Sequence, residues 1–254
     1  MSFFDSHGVQ IHYDEHGAAQ PVVLLHGFAS NANNNWGMTG SYSSLARRYR
    51  VIAIDCRGHG KSDKPHDRES YSGDKIGADV TRLLDRLGIK RKLVMAYSMD
   101  ARISLGLLVS HPERLRVAVL GGIGAPSNRE VVSNRPAIVE ALLSNHPEII
   151  KRTTAKQFRQ LAEPNRNDLK ALAACMAAHR PDATVEDLAI LRGNPVPVLI
   201  VIGTKDLLVG NPEELQDAVH RSELVKLEGR DHLNAPGDKR YKEAVLKFFA
   251  RAPA

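Results

Sequence analysis

Three side chains that together could perform nucleophilic catalysis stand just after short apolar runs of the sequence. Ser98 lies between such a run and a helical pattern, on the kind of sharp turn that exposes a serine hydroxyl. Asp206 and His232 follow two later apolar runs. Each residue alone has a simpler structural explanation, but three run-end positions in this order rarely arise by chance. The sequence therefore predicts Ser98 as nucleophile, His232 as general base and Asp206 as the acid that orients the imidazole.

Two backbone N–H groups could hold the negative charge that develops on a substrate oxygen. Met99 follows Ser98 at the start of a helical pattern, where the helix N-terminus carries partial positive charge. Phe28 lies in a turn after the first apolar run and supplies a second N–H. These two residues are the predicted oxyanion hole. The candidates for lining the same pocket are His26, Gly27, Trp36 and Tyr97, although the His26 side chain is better interpreted as structural.

A rival group of polar residues follows the second apolar run, over Asp55-Cys56-Arg57-Gly58-His59-Gly60-Lys61-Ser62. Its Asp, Arg and His resemble a proton-relay set. We interpret it as a structural loop that glycines bend and polar side chains brace. The two glycines lack the spacing of a phosphate-binding loop, so the segment predicts no nucleotide site.

The elements that must position these side chains can be read from the apolar pattern. Six short runs are apolar on both faces, which is typical of buried parallel strands; they cover 22–25, 51–54, 93–96, 117–120, 198–202 and 224–227. Residues 8–13 alternate as an antiparallel edge strand does. Helical patterns occupy 73–88, 99–110, 212–220 and 238–250. This alternation predicts an α/β fold with a mostly parallel sheet covered on both faces.

The alternation breaks between 125 and 194, where no strand-like run occurs. Helix-forming stretches cover 138–143, 155–161, 169–178 and 185–190. We interpret 125–194 as a helical cap inserted into a core made of 1–124 and 195–254. Its possible pocket residues are Leu142, Leu143, Ile149, Phe158 and Met176, although most apolar residues on helices belong to the core.

Composition narrows the class of protein further. The chain has 254 residues and a formal net charge of +6, but its basic residues are scattered and only 5% of residues are aromatic, which argues against a nucleic-acid partner. No apolar run approaches the ~20 residues that span a bilayer, and the N-terminus lacks a signal-peptide pattern, so no membrane partner is expected. Cys56 and Cys175 make neither a disulfide framework nor a metal site. We expect a cytoplasmic protein with no cofactor and no metal; the oligomeric state is left open.

The whole pattern resembles the α/β-hydrolase fold superfamily, in particular small bacterial serine hydrolases of the esterase and lipase type. The matching motifs are His26-Gly27-Phe28, the Asp55 to Ser62 loop, Tyr97-Ser98-Met99, Gly203-Thr204-Lys205-Asp206 and Gly229-Arg230-Asp231-His232. The resemblance implies a mostly parallel central sheet flanked by helices with an inserted cap. It also implies cleavage of a small-molecule carboxylic ester through an acyl-enzyme, with the triad in the chain order of this fold.

The chain departs from the family at the nucleophile, where the pattern Gly-x-Ser-x-Gly reads Ala96 to Asp100. Ala96 adds only a methyl group. Asp100 adds bulk and a carboxyl group; in the first turn of a helix a carboxylate gains roughly 0.3–1 kcal/mol from the dipole. A negative charge about 6 Å from the oxyanion, at an effective dielectric near 20, costs about 3 kcal/mol, on the order of a hundredfold in rate. Protonation or a salt bridge to Arg102 would reduce that cost.

Asp100 therefore keeps a second class of function open, a small-molecule receptor or signalling protein that retains a weakened hydrolase site. A carbon–carbon bond hydrolase or a cofactor-free perhydrolase on the same triad is the third. Epoxide hydrolases and haloalkane dehalogenases of this fold place an aspartate where Ser98 stands, so we exclude them.

Overall fold

The apolar runs of the sequence form one eight-stranded sheet in a computed structural model, which describes residues 2–125, 129–151, 153–164, 166–178 and 184–252. In chain order the strands are β1 (Ser2–Asp5), β2 (Gln10–His16), β3 (Pro21–Leu25), β4 (Arg50–Ile54), β5 (Lys92–Tyr97), β6 (Leu115–Gly121), β7 (Val198–Gly203) and β8 (Ser222–Leu227). Their order across the sheet is β1-β2-β4-β3-β5-β6-β7-β8. Strands β3 to β8 are parallel, and β2 pairs with β4 in antiparallel orientation. The mostly parallel sheet is confirmed.

Both edges of the sheet differ from the sequence-based prediction. The edge strand predicted over 8–13 is wrong in position, because β2 pairs on its outer side with β1, in the register Phe3↔His12. Strand β1 has four residues, too few to show a periodic pattern. At the other edge, β8 was predicted as a buried strand. Only Leu227 of β8 is buried, and Glu223 and Lys226 are exposed, since β8 has a neighbour on one side only.

The helices lie in two groups along the chain. Those beside the strands are α1 (Ser41–Leu45), α2 (Gly73–Arg86), α3 (Met99–Ser110), α8 (Pro212–Ala218) and α9 (Lys239–Ala250). The first of these was not predicted. Helix α8 begins as expected, with Pro212 in its first turn and the Asn211 side chain accepting the N–H groups of Glu213 and Glu214. Among the described residues, no helix has both the length and the apolar character needed to cross a bilayer.

Apolar side chains cover both faces of the sheet, as predicted. On one face Val23 and Leu25 belong to a core that includes Val80, Leu83, Leu105 and Leu215 from α2, α3 and α8. On the other face Val22 and Leu24 belong to a core that includes Leu45, Tyr241, Val245 and Phe249 from α1 and α9. The strand period of two residues sends neighbouring side chains to opposite cores. The loops at the carboxyl ends of the strands are thereby fixed to a rigid base.

Four further helices lie between β6 and β7: α4 (Arg129–Leu143), α5 (Thr153–Ala162), α6 (Leu169–Ala177) and α7 (Val185–Gly193). Ile138, Leu142, Phe158 and Leu172 form an apolar cluster of α4 to α6 that also includes Ala29 of the core. Parts of the predicted cap, 126–128, 152, 165 and 179–183, lie outside the described residues.

Lys92, which is buried at the start of β5, provides a test of what a buried amine contributes to the free energy of unfolding. Lys92 is 0% exposed, no described atom is a hydrogen-bond partner of its Nζ, and burial lowers its pKa to about 7. We expect Lys92→Met to raise the free energy of unfolding at pH 7 by several kcal/mol, because methionine fills the same space without a buried amine. Urea denaturation followed by circular dichroism measures the change.

The advantage of Lys92→Met must shrink as the pH rises. Between about pH 7 and 10.5 the unfolded chain keeps the Lys92 proton and the folded chain has released it, so the folded wild type gains up to about 1.4 kcal/mol per pH unit. Lys90→Met, which removes an exposed lysine two residues earlier, is the control and should show no such slope. Parallel pH profiles for wild type and Lys92→Met would contradict the prediction.

Candidate active site

Ser98, His232 and Asp206 form a hydrogen-bonded chain at the carboxyl edge of the sheet. Ser98 Oγ lies 2.8 Å from His232 Nε2, and His232 Nδ1 lies 2.7 Å from Asp206 Oδ2. The Asp206 side chain is fully buried, and its Oδ1 accepts the N–H of Leu208 at 3.0 Å. A carboxylate at Nδ1 favours the tautomer that carries its proton there, which leaves the Nε2 lone pair facing the serine hydroxyl. The structure therefore brings together the three residues that the sequence singled out.

Ser98 stands on a sharp turn between β5 and α3. Its φ of +53° and ψ of −112° lie in a region that costs a non-glycine residue conformational energy, and such strain concentrates at functional sites. The Ser98 N–H donates to the carbonyl of Gly121 at 2.8 Å. A Cβ added to Gly27 would lie 3.3 Å from the Ser98 Cβ, so a glycine lets the next loop approach closely. The turn lifts the hydroxyl out of the sheet toward His232.

Ser98 and His232 open into a cavity of about 240 Å³. Its apolar wall is formed by Ile123, Val131, Phe158, Leu161, Met176 and Leu208, and its polar wall includes Ser30, Asn34, Asn35 and Thr39. Both predicted oxyanion-hole residues, Phe28 and Met99, line this cavity. Of the five possible pocket residues named from the sequence, Phe158 and Met176 line it. Leu142 is buried in the helical cluster instead, and Leu143 and Ile149 are exposed.

Of the four other predicted pocket residues, two line the cavity and two do not. Gly27 and Tyr97 line the cavity, whereas His26 and Trp36 are absent from its described wall, so their prediction as lining residues is corrected. Both are fully buried. His26 Nδ1–H donates to the Gly27 carbonyl at 2.8 Å, and its Nε2 accepts the Cys56 N–H at 3.0 Å. His26 therefore holds two loops together, as the structural interpretation of its side chain expected.

The polar loop from Asp55 to Ser62 has a structural role, because its side chains hold neighbouring segments together. Asp55 accepts the N–H groups of Ala32 and Lys61 and contacts His12 Nδ1 at 2.9 Å. Burial acts to raise the pKa of Asp55, but the backbone hydrogen bonds from Ala32 and Lys61 act in the opposite direction, and the pKa is lowered. Arg57, also in this loop, pairs with Asp79 through two nitrogens, at 2.7 and 2.6 Å. His59, the histidine of this loop, lies with Nδ1 3.0 Å from the Arg57 carbonyl, so that ring nitrogen binds within the loop itself.

Asp100 points into the protein beneath the nucleophile. It is 0% exposed, and its Oδ2 lies 2.7 Å from Cys56 Sγ. Burial, together with the Asp100 carboxylate, raises the pKa of the Cys56 thiol, so Cys56 is the donor of this hydrogen bond. The sequence suggested Arg102 as a salt-bridge partner of Asp100. In the structure, the Arg102 side chain donates to the Gly124 carbonyl at 3.1 Å.

The same cluster is the one described group that resembles a metal site. Ligand atoms of His26, Cys56 and Asp100 lie within 4.8 Å of one another. Both ring nitrogens of His26 are already engaged in hydrogen bonds, and the Cys56 sulfur keeps its proton. The donor set therefore does not fit a metal ion, which needs a free imidazole nitrogen and a thiolate.

Two arginines in the cavity wall, Arg102 and Arg135, were not predicted as pocket residues. Arg102 could have been found, because a residue four positions after Ser98 lies on the same face of α3. Arg135 lies on α4, and no sequence signal places that helix beside Ser98.

Comparisons with known proteins identify the family of this chain. A family model described as the alpha/beta hydrolase fold matches residues 20–172, more than half of the chain. A Pseudomonas putida protein named dihydrolipoyllysine-residue acetyltransferase component of acetoin cleaving system is 27% identical over 84% of this chain, and the match spans only 61% of that relative. A Metapseudomonas resinovorans protein named 2-hydroxy-6-oxo-6-(2'-aminophenyl)hexa-2,4-dienoic acid hydrolase is 29% identical over 82% of this chain and 75% of its own length.

A solved structure gives the same result for the fold alone. The enol-lactonase from Burkholderia xenovorans LB400 superposes with a TM-score of 0.76 at 22% identity, covering 98% of this chain and 100% of that one. The family model covers more than half of the chain and therefore shows its family. The chain belongs to the α/β-hydrolase fold family.

Proposed function

We propose that this protein is a serine hydrolase that cleaves carboxylic esters through an acyl-enzyme. The observation that carries the proposal is the hydrogen-bonded chain from Ser98 through His232 to Asp206, at 2.8 and 2.7 Å. Ser98 Oγ attacks the ester carbonyl carbon while His232 Nε2 takes its proton. The backbone N–H groups of Phe28 and Met99 hold the oxyanion of the tetrahedral intermediate.

The rest of the cycle uses the same groups. His232 returns the proton to the alcohol as the C–O bond breaks, which leaves an acyl group on Ser98. Water, deprotonated by His232, then releases the acid and restores the serine. Buried Asp206 stabilises the imidazolium that forms in both halves.

We also propose that helices α4 to α6 act as a cap over the core made of 1–124 and 195–254. Helix α7, which the sequence analysis placed in the cap, packs instead against α3 and α8, and its Leu191 belongs to the core cluster on that face of the sheet. Phe158 of α5 and Met176 of α6 line the cavity, and the cluster that these helices form includes Ala29, next to Phe28. In this arrangement the cap bounds the space that holds the substrate's apolar part.

A fluorophosphonate probe tests the nucleophile directly. The probe should phosphonylate Ser98 Oγ with loss of fluoride, and peptide mass spectrometry should place the adduct on Ser98. Ser43→Ala, which removes an exposed serine, should be labelled like the wild type, whereas Ser98→Ala should not. Folded wild-type protein that forms no adduct on Ser98 would refute the proposed mechanism.

A carbon–carbon bond hydrolase on the same triad is the second candidate. The named dienoic acid hydrolase from Metapseudomonas resinovorans, similar over 82% of this chain, favours it. Rates on a 2-hydroxy-6-oxo-dienoic acid and on simple esters separate the two, because an esterase shows measurable kcat/KM only with the esters.

A further inference from the structure

Tyr97, the last residue of β5, contacts the general base of the proposed reaction. It directly precedes Ser98, and its hydroxyl donates to the backbone carbonyl of His232 at 2.7 Å, across 135 positions of the chain. The two rings are also in contact, with centroids 5.2 Å apart and planes inclined at 50°. Strand β5 therefore leads into the nucleophile and also holds the residue that must take its proton.

The Tyr97 ring is confined on several sides. A Cβ at Gly121 would lie 2.6 Å from Tyr97 Cδ2, and a Cβ at Gly122 would lie 2.8 Å from its Cζ, so the end of β6 has room for the ring because both residues are glycines. Trp36 and Tyr241, both fully buried, pack against the ring edge-to-face, with centroids at 6.4 and 6.3 Å. A ring held in this way gives its hydroxyl a fixed direction.

The Tyr97 hydroxyl remains a hydrogen-bond donor at neutral pH. Burial, with the negative charge of Asp206 as the second cause, raises the pKa of this hydroxyl. A backbone carbonyl can only accept, so the direction of the bond to His232 is fixed. No step of the proposed cycle changes either group, so the bond is available throughout.

Hydrogen bonds hold the loop that carries His232 at several places. The Asp231 side chain accepts two N–H groups of its own turn, which stabilises the turn without attaching it to a strand. The Arg230 carbonyl accepts the N–H of Lys205, which attaches the loop to the segment after β7. The bond from Tyr97 attaches it to β5, in the centre of the sheet.

The Tyr97 bond matters because the direct bond between His232 and the nucleophile is lost during the proposed reaction. Once Ser98 carries an acyl group, its Oγ has no proton to donate to His232 Nε2. His232 must nevertheless keep its place in order to deprotonate the attacking water. A misplacement of about 1 Å at this step costs on the order of a hundredfold in rate.

We propose that Tyr97 is a positioning residue, whose hydroxyl and ring hold His232 beside Ser98 while the acyl-enzyme forms and is hydrolysed. This inference rests on the proposed function and adds a residue to it. Tyr97 moves no proton itself, and its effect on the rate passes through His232.

Tyr97→Phe tests the hydroxyl, because it keeps the ring. With 4-nitrophenyl acetate we expect kcat to fall by about tenfold to a hundredfold without a rise in KM, since the base loses a hydrogen bond while the cavity keeps its shape. Tyr71→Phe is the matched control, because Tyr71 is also buried and its hydroxyl donates to the Pro65 carbonyl at 2.6 Å, outside the described cavity wall. Both variants should lower the melting temperature by similar amounts, but Tyr71→Phe should keep the wild-type kcat.

Tyr241→Phe is a second control, within the same group of aromatic rings. The Tyr241 hydroxyl has no hydrogen-bond partner among the described atoms, so its removal leaves the bond from Tyr97 to His232 intact. This variant should also keep the wild-type kcat. A loss of kcat as large as that of Tyr97→Phe would show that repacking of the rings causes the loss, and the inference would be wrong.

A measurement that needs no substrate separates this inference from the proposed function. The proton that His232 Nδ1 donates to Asp206 should give a downfield resonance in NMR, and its exchange with water reports how often the imidazole leaves its place. The exchange should be about tenfold faster in Tyr97→Phe than in the wild type or in Tyr71→Phe, because one hydrogen bond that holds His232 is missing.

The two proposals fail in different ways. If the wild type hydrolyses no ester but the exchange is accelerated in Tyr97→Phe alone, the ester-hydrolase proposal fails and the positioning role stands. If esters are hydrolysed and Tyr97→Phe matches Tyr71→Phe in kcat and in exchange within about twofold, the hydrolase stands and the positioning role is wrong. A rise in KM at unchanged kcat would also overturn it, because Tyr97 would then act on substrate binding.

Discussion

Replacing Ser98 with alanine is expected to lower kcat for 4-nitrophenyl acetate by on the order of a million-fold, as removal of the nucleophile does in serine hydrolases of this mechanism. Alanine has no group that His232 can deprotonate, so no acyl-enzyme forms. A residual rate above that in water should persist, because the N–H groups of Phe28 and Met99 are unchanged. Stopped-flow and steady-state measurements of nitrophenolate release give kcat.

The substitution should leave the fold intact, which is what makes the loss of activity informative. The hydrogen bond from the Ser98 N–H to the Gly121 carbonyl involves only the backbone. Alanine also tolerates the φ of +53° as well as serine does. Circular dichroism and a thermal melt of the variant serve as the control. A Ser98→Ala protein with the wild-type rate would show that another residue is the nucleophile.

Replacing Asp100 with asparagine is expected to raise kcat/KM for short 4-nitrophenyl esters by up to about a hundredfold, because it removes a carboxylate two residues from the nucleophile, within the range over which a charge acts on a developing oxyanion. Asparagine keeps the volume of the buried side chain and can still accept the Cys56 thiol through its amide oxygen. Steady-state kinetics over acetate, butyrate and hexanoate esters measure the change.

Asp74→Asn is the matched control for this prediction. It removes an exposed carboxylate from the first turn of α2, where the gain from the helix dipole is similar but no proposed active site is near. Its kcat/KM should equal that of the wild type. A slow wild type that Asp100→Asn does not accelerate would support a receptor built on a hydrolase fold, whereas a fast wild type with no response would show that Asp100 does not act on the oxyanion.

The sheet and the meeting of Ser98, His232 and Asp206 could be predicted because their signals are local. Runs apolar on both faces marked the buried strands, and the residues that followed those runs had to meet at one edge of the sheet. The edge strands of the sheet were harder to predict. Strand β1 is too short to show a periodic pattern, and the apolar pattern of Leu224 to Leu227 is typical of a buried strand, although β8 lies at the edge of the sheet.

The contacts that the sequence did not predict join distant segments. Cys56 meets Asp100 across 44 positions, and Arg135 reaches the cavity only because α4 packs where it does. His26 was placed in the correct turn, but which way its ring faces depends on the N–H of Cys56, 30 positions later. Such contacts follow from the packing of whole elements, which no pattern within one segment specifies.

The exposed edge strand β8 determines how often His232 stays in place beside Ser98. His232 follows β8, which pairs only with β7 and buries only Leu227 fully. Native proteins open first where few apolar contacts hold the backbone. An opening that detaches β8 separates His232 from Ser98 while β3 to β7 remain paired. The fraction of molecules in which the site is complete is therefore set by the free energy of this local opening, and the global free energy of unfolding is only the upper limit of that free energy.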